Sequence, residues 1–168
     1  NTNDNFISYL EITPTTQNIL NIFETFGPYK TTSKIYNAEL ISVEYSEEAE
    51  PFNELEISIT LKNTGNAPWY KNSGMTLVTN NELMKNSDFY LSRTWMSQSH
   101  VAQVEEIVPV GEEYQLKFYI LPYPTPVEGK EDFIIIDPNG TPIKTTEFTL
   151  SFKTKDMGYV FAKVKPNA

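Results

Sequence analysis

Leu55-Glu56-Ile57-Ser58-Ile59-Thr60-Leu61-Lys62 alternates apolar and polar side chains without a break, and Asn63-Thr64-Gly65-Asn66 follows at once. Successive strand residues point to opposite faces, so this period of two predicts a strand with one buried and one solvated face. The Asn-Thr-Gly-Asn run ends the strand with turn chemistry. Asn63 can bond its own nearby backbone, and Gly65 is expected to take a positive φ. A strand with one apolar face must bury that face against a second layer.

Further strands recur on both sides of it. Leu40 to Tyr45 reads as the first, Met75 to Thr79 as the next, and Asn80 to Ser87 as a polar loop. Phe89-Tyr90-Leu91 is expected to pair at a sheet edge. Val101 to Val108 reads as a broken strand, Val110-Gly111-Glu112 as a turn, and Tyr114 to Ile120 alternates again. Pro122, Pro124 and Pro126 exclude helix and central strand alike, which predicts an extended loop. Phe133-Ile134-Ile135-Ile136 is a continuous apolar run, the pattern of a strand buried on both faces. Asp137-Pro138-Asn139-Gly140 is a turn signal. Phe148, Leu150 and Phe152 then share one face of a strand over 147–153. Short strands separated by turn signals roughly every ten residues point to an all-β, immunoglobulin-like β-sandwich.

The flanks differ from this body. Thr13-Pro14 reads as a helix N-cap followed by proline at the first helical position, Ile19, Leu20, Phe23 and Phe26 fall on one face, and Gly27-Pro28 is a stop. A short amphipathic helix over 15–26 is therefore expected, either docked on the body or packed against another subunit. The organisation read from the sequence is an N-terminal helical extension over 1–36, a sandwich over 37–153, and a strand or tail over 154–168. The chain opens Asn1-Thr2-Asn3 without methionine and reads as a mature or excised fragment.

Several pieces resemble the immunoglobulin-like four-tryptophan domain of autophagy cargo receptors and bacterial surface proteins. They are Asn63-Thr64-Gly65-Asn66-Ala67-Pro68-Trp69, Arg93-Thr94-Trp95, Val108-Pro109-Val110-Gly111-Glu112-Glu113-Tyr114, and Ile120-Leu121-Pro122. Gly129 and Phe133-Ile134-Ile135-Ile136-Asp137 leading to Asn139-Gly140 complete a similarity over about 38–153. Only two tryptophans are present, and Leu55 and Ile57 occupy the strand where that family usually carries one. The resemblance implies a β-sandwich without enzymatic activity and a role in protein contact or as an accessory module.

The formal net charge is −9, which argues against nucleic acid and anionic membrane surfaces as partners. The chain has no cysteine, so disulfide frameworks, thiolate metal sites and cysteine nucleophiles are excluded. No apolar stretch approaches the ~20 residues of a membrane-spanning helix.

Catalytic patterns are missing. His100, in Ser97-Gln98-Ser99-His100, is the sole histidine, and serines close to it in sequence do not supply the positioned base and orienting carboxylate that triad chemistry needs. Glu105-Glu106, Glu112-Glu113 and Glu131-Asp132 are adjacent, and neighbours on a strand face opposite sides. No metal and no cofactor is expected, and the protein reads as a non-enzyme. Asn139-Gly140-Thr141 matches an N-glycosylation acceptor.

Two functional readings stand. One is a non-catalytic, extracellular or cell-surface module acting in protein–protein contact, adhesion or as a spacer, with a protein partner or neighbouring subunit. The other is a carbohydrate-binding module appended to a cell-wall or polysaccharide-active enzyme, with a glycan as partner. Trp69, Tyr70, Phe89, Tyr90 and Trp95 are the candidate binding residues for either. Trp69, just past the turn, can plug one open end of the sandwich or stand exposed as a ligand platform.

Overall fold

The computed structural model describes residues 33–72, 74–80, 85–123 and 128–156. The expected helix over 15–26 and the expected last strand or tail at Gly158 to Val164 lie outside them. Among the described residues there are eight strands: β1 (Ala38–Glu44), β2 (Glu48–Ala49), β3 (Leu55–Asn63), β4 (Thr76–Thr79), β5 (His100–Gln103), β6 (Glu113–Ile120), β7 (Glu128–Ile136) and β8 (Pro142–Thr154). They form two sheets, one of order β1-β3-β6 and one of order β2-β8-β7-β4-β5.

The deciding strand behaves as its alternation demands. In β3, Leu55, Ile57, Ile59 and Leu61 are buried while Glu56, Ser58, Thr60 and Lys62 face outward. β6 pairs with it antiparallel, so Ile57 stands opposite Phe118 and Ile59 opposite Leu116. These inward rows meet Leu77, Phe133, Ile135, Leu150 and Phe152 of the second sheet in one hydrophobic cluster. Each such side chain contributes about 1.5–3 kcal/mol by leaving water. Phe133 is a hub: its ring centroid lies 5.3 Å from Phe118, 6.3 Å from Trp95 and 5.4 Å from Phe148.

The chain changes sheets near its start. β1 pairs antiparallel with β3, with a bulge between Leu40 and Ser42 that leaves Ile41 unpaired and half-exposed on an edge strand. A bulge there blunts further strand pairing. β2 then crosses to the other sheet and pairs parallel with β8. The Tyr45 hydroxyl bridges the switch, donating to Ser151 O at 3.1 Å and accepting from Ser151 N at 3.3 Å.

Phe133 to Ile136 is buried on both faces, as its unbroken apolar run requires. Val78, Ile134 and Ile136 make a second, smaller apolar cluster separate from the main core. Phe89-Tyr90-Leu91 is not an edge strand. It lies in a turn, with Thr94 N and Trp95 N both donating to Leu91 O at 3.0 Å. The short run carries apolar residues without the length to sustain a ladder, and its rings go into the core instead.

Candidate functional site

One end of the sandwich is organised around Asn63. It is completely buried at the end of β3. Its Nδ2 donates to Ala67 O and to Val108 O, both at 3.0 Å, and its Oδ1 accepts from Gly65 N at 3.0 Å. Its backbone completes the set: Asn63 N donates to Glu112 O at 2.9 Å, and Gly111 N donates to Asn63 O at 2.8 Å. A buried amide with every group satisfied fixes its surroundings. Asn63 thereby ties the Asn-Thr-Gly turn to the loop over 105–112 that leads into β6.

Gly65 is required there for a different reason from the expected one. Its φ is not positive; among the described residues the positive-φ glycines are Gly74, Gly111 and Gly140. A Cβ on Gly65 would lie 2.3 Å from Ile35 O and 2.9 Å from Asn37 N. The backbone before β1 crosses directly over this residue, and only hydrogen fits beneath it.

Past the turn, Trp69 and Val108 form an antiparallel bridge, exchanging N–H···O bonds of 3.0 and 2.9 Å. Trp69 is fully buried, as is most of Trp95, whose Nε1 donates to Tyr119 O at 2.6 Å. Phe89 is buried too, packed edge-on against Phe152 at 5.2 Å and Tyr123 at 5.5 Å. Tyr90 is half-buried, edge-on to Trp95 at 5.9 Å. Of the five candidate binding residues, Tyr70 alone is well exposed, at 47%. The structure groups Phe89, Tyr90 and Trp95 at the core's margin and leaves Trp69 and Tyr70 at the end built on Asn63. Trp69 takes the plugging role, and neither indole presents a flat face to solvent.

Two residues with no assigned role stand out at the same end. Ile107 is 63% exposed and Val110 is 49% exposed. The signal for them was present in the sequence: besides the buried Val108, two further β-branched residues sit in a loop that otherwise reads Glu, Pro and Gly.

Elsewhere the polar groups are arranged for structure. His100 Nδ1 lies 3.1 Å from Ser99 Oγ and 3.3 Å from Ser97 Oγ, and no carboxylate is bonded to its ring among the described residues. Burial raises the Glu131 carboxyl above its ordinary range, opposed by a 2.6 Å hydrogen bond from Ser87 Oγ. The hydrogen bond from the Tyr119 hydroxyl, at 2.7 Å, holds the exposed Glu56 carboxyl below its usual range, with Lys117 assisting. Burial raises the Tyr114 phenol, whose hydroxyl accepts from Glu105 N. Among the described residues no three His, Asp or Glu side chains converge as a metal site. An open cleft of about 520 Å³ lies between β2, β7 and β8, lined by Tyr45, Glu48, Lys130, Phe152 and Lys153 among others.

No protein-family model matches the sequence, and no curated protein matches it. Solved structures with a similar chain path include the solution structure of the CARDB domain of PF1109 from Pyrococcus furiosus. It shares 10% identity, covers 73% of this chain and 97% of that one, and gives a TM-score of 0.47. The crystal structure of that domain in complex with di-metal ions gives 14% identity, 74% and 97% coverage and a TM-score of 0.43. A cohesin module from a Clostridium perfringens family 33 glycoside hydrolase gives 9%, 74%, 99% and 0.35. At these identities and scores the likenesses carry no inference about what this chain binds or does.

Proposed function

We propose that this chain is a non-catalytic, immunoglobulin-like module that works outside the cytoplasm, at the cell surface or in the extracellular space, by contacting another protein. The strand order supports the fold part of the reading. A three-stranded sheet faces a five-stranded one, and the chain passes from one to the other between β1 and β2. The observation that carries the functional part is the end built on Asn63. The buried Asn63 side chain, with its amide fully hydrogen-bonded, holds loops from which Tyr70, Ile107 and Val110 project into water. Binding residues sit disproportionately on loops that a rigid scaffold positions. A pure spacer gains nothing from exposed aliphatic side chains there.

The carbohydrate-binding reading needs aromatic faces stacked against sugar. Burial of Trp69, Phe89 and Trp95 leaves Tyr70 as the one well-exposed aromatic among the candidate residues. The experiment is chemical crosslinking of the purified chain, alone and against surface extracts of the source cells. Saturable crosslinks to itself or to a defined protein support the contact reading. Their absence, together with a tryptophan emission shift on adding a glycan, would replace it with the carbohydrate one.

A further inference from the structure

We infer that the end of the sandwich formed by the loops over 64–70 and 105–113 is a docking surface for a cationic protein segment in which apolar residues are interleaved with lysine or arginine. This rests on the protein-contact reading and names the chemistry of the partner.

The apolar centre follows from strand geometry. Trp69 and Val108 face each other across an antiparallel bridge and point into the core. Neighbours along a strand point the opposite way. Tyr70 and Ile107, the next residue on each side, therefore emerge together on the outer side of the bridge, and both are exposed. Val110 joins them from the turn whose Gly111 amide is held by Asn63 O. Exposed large apolar groups gathered at one place mark interaction sites.

The rim sets the sign of the partner. Glu105, Glu106, Glu112 and Glu113 all lie exposed on the same loop and its exit into β6. None of them forms an ion pair among the described residues, whereas Glu48, Glu50, Glu54, Glu56 and Glu128 elsewhere do. Lys62 stands across from Glu113 in the ladder without bridging to it. An apolar centre flanked along its loop by exposed carboxylates outside any ion pair complements a segment with apolar side chains between cations. The charges steer encounter, and the aliphatic groups supply retention.

The test uses the full chain, isotope-labelled for amide NMR. The probes are a short synthetic peptide alternating lysine with leucine and valine, its glutamate-for-lysine counterpart, and an oligolysine of equal length. The first peptide is expected to shift amides in 64–70 and 105–113 and to bind less well as salt rises. The double variant I107S/V110S is expected to weaken it by about tenfold or more while leaving the melting temperature unchanged. The quadruple Glu→Gln variant at 105, 106, 112 and 113 is expected to flatten the salt dependence. Equal binding by oligolysine, or no binding by any peptide, overturns the proposal. Shifts confined to another face overturn this surface but leave the protein-contact reading standing, since crosslinking tests that reading without reference to it.

Discussion

Asn63 Nδ2 lies 3.0 Å from Val108 O, a hydrogen bond that spans 45 residues of chain and is buried. It ties the end of β3 to the Trp69–Val108 bridge, alongside the backbone bonds Asn63 makes with Glu112 O and Gly111 N. Asn63→Ala takes the side-chain partner from Ala67 O and Gly65 N, while Val108 O keeps its bond from Trp69 N. Each buried group left so costs about 1–3 kcal/mol. The expected loss is ~3–5 kcal/mol by urea unfolding, with Asn63→Asp no better, because a carboxylate cannot donate to two carbonyls.

The glycines at this end separate two mechanisms. Gly65→Ala drives a methyl into Ile35 O and Asn37 N, both backbone atoms that cannot swing aside. Gly111 has open space around it but a φ of 86°, so Gly111→Ala costs only the left-handed backbone, about 1 kcal/mol. Thermal unfolding is expected to rank Gly65→Ala well below Gly111→Ala. The reverse order would mean the backbone near Ile35 is not seated as described.

Gly129 and Phe152 are coupled. They are partners in the β7–β8 ladder, and a Cβ on Gly129 would fall 2.2 Å from the Phe152 ring. Gly129→Ala alone and Phe152→Leu alone are both expected to destabilise. The double variant is expected to lose less than their sum by about 0.5–3 kcal/mol, because the smaller side chain vacates the space the methyl needs.

Both indoles should report a dry core. Emission is expected to be blue-shifted, resistant to acrylamide and unmoved by wall glycans. Trp95→Phe forfeits the bond to Tyr119 O, a loss of about 1 kcal/mol that Trp69→Phe does not share, since Trp69 Nε1 has no partner among the described residues.

Glu131 gives a pH signature. Its folded-state pKa lies above the ordinary carboxylate value of 4.5, so the native protein holds this proton more tightly than the unfolded chain does. Stability should therefore fall as pH rises from the ordinary value through the raised one, then level off. Glu131→Gln is expected to remove that slope, with a gain at neutral pH well under ~1 kcal/mol, because the group is half in water. Melting temperatures of both proteins from pH 4 to 7 would show it; parallel curves would refute the assignment.

The sandwich was legible wherever one residue type repeated with a period. β3 and β6 alternate, and Phe133 to Ile136 is unbroken; the structure uses each as its pattern requires. β2 was not legible, because two residues in Glu47-Glu48-Ala49-Glu50 carry no period, and their pairing with β8 is set by where β1 leaves its sheet. The fate of the aromatics was hidden for a related reason. Tyr, Phe and Trp serve core and surface alike, and only the arrangement around Phe133 decides that Phe89 and Trp95 go inward. Gly65 was singled out correctly and explained wrongly, since crowding by a segment 30 residues upstream leaves no local mark.

The switch of the chain from β1 to β2 has a mechanical side. Ala38 lies beside Asn63 at one end of the sandwich, while Ala49 and Thr154 pair at the other. The described chain thus runs in at one end and out at the opposite one. Because β2 and β8 are parallel, tension applied along that axis slides them past each other. The bonds from Lys153 N to Glu47 O and from Lys155 N to Ala49 O, with the Tyr45–Ser151 pair, then bear load together instead of opening one after another. Lys155, bridged to both Glu48 and Glu50, adds an ionic clasp at the exit. A domain tethered at both ends in this way would resist being pulled open far better than its two-residue strand suggests.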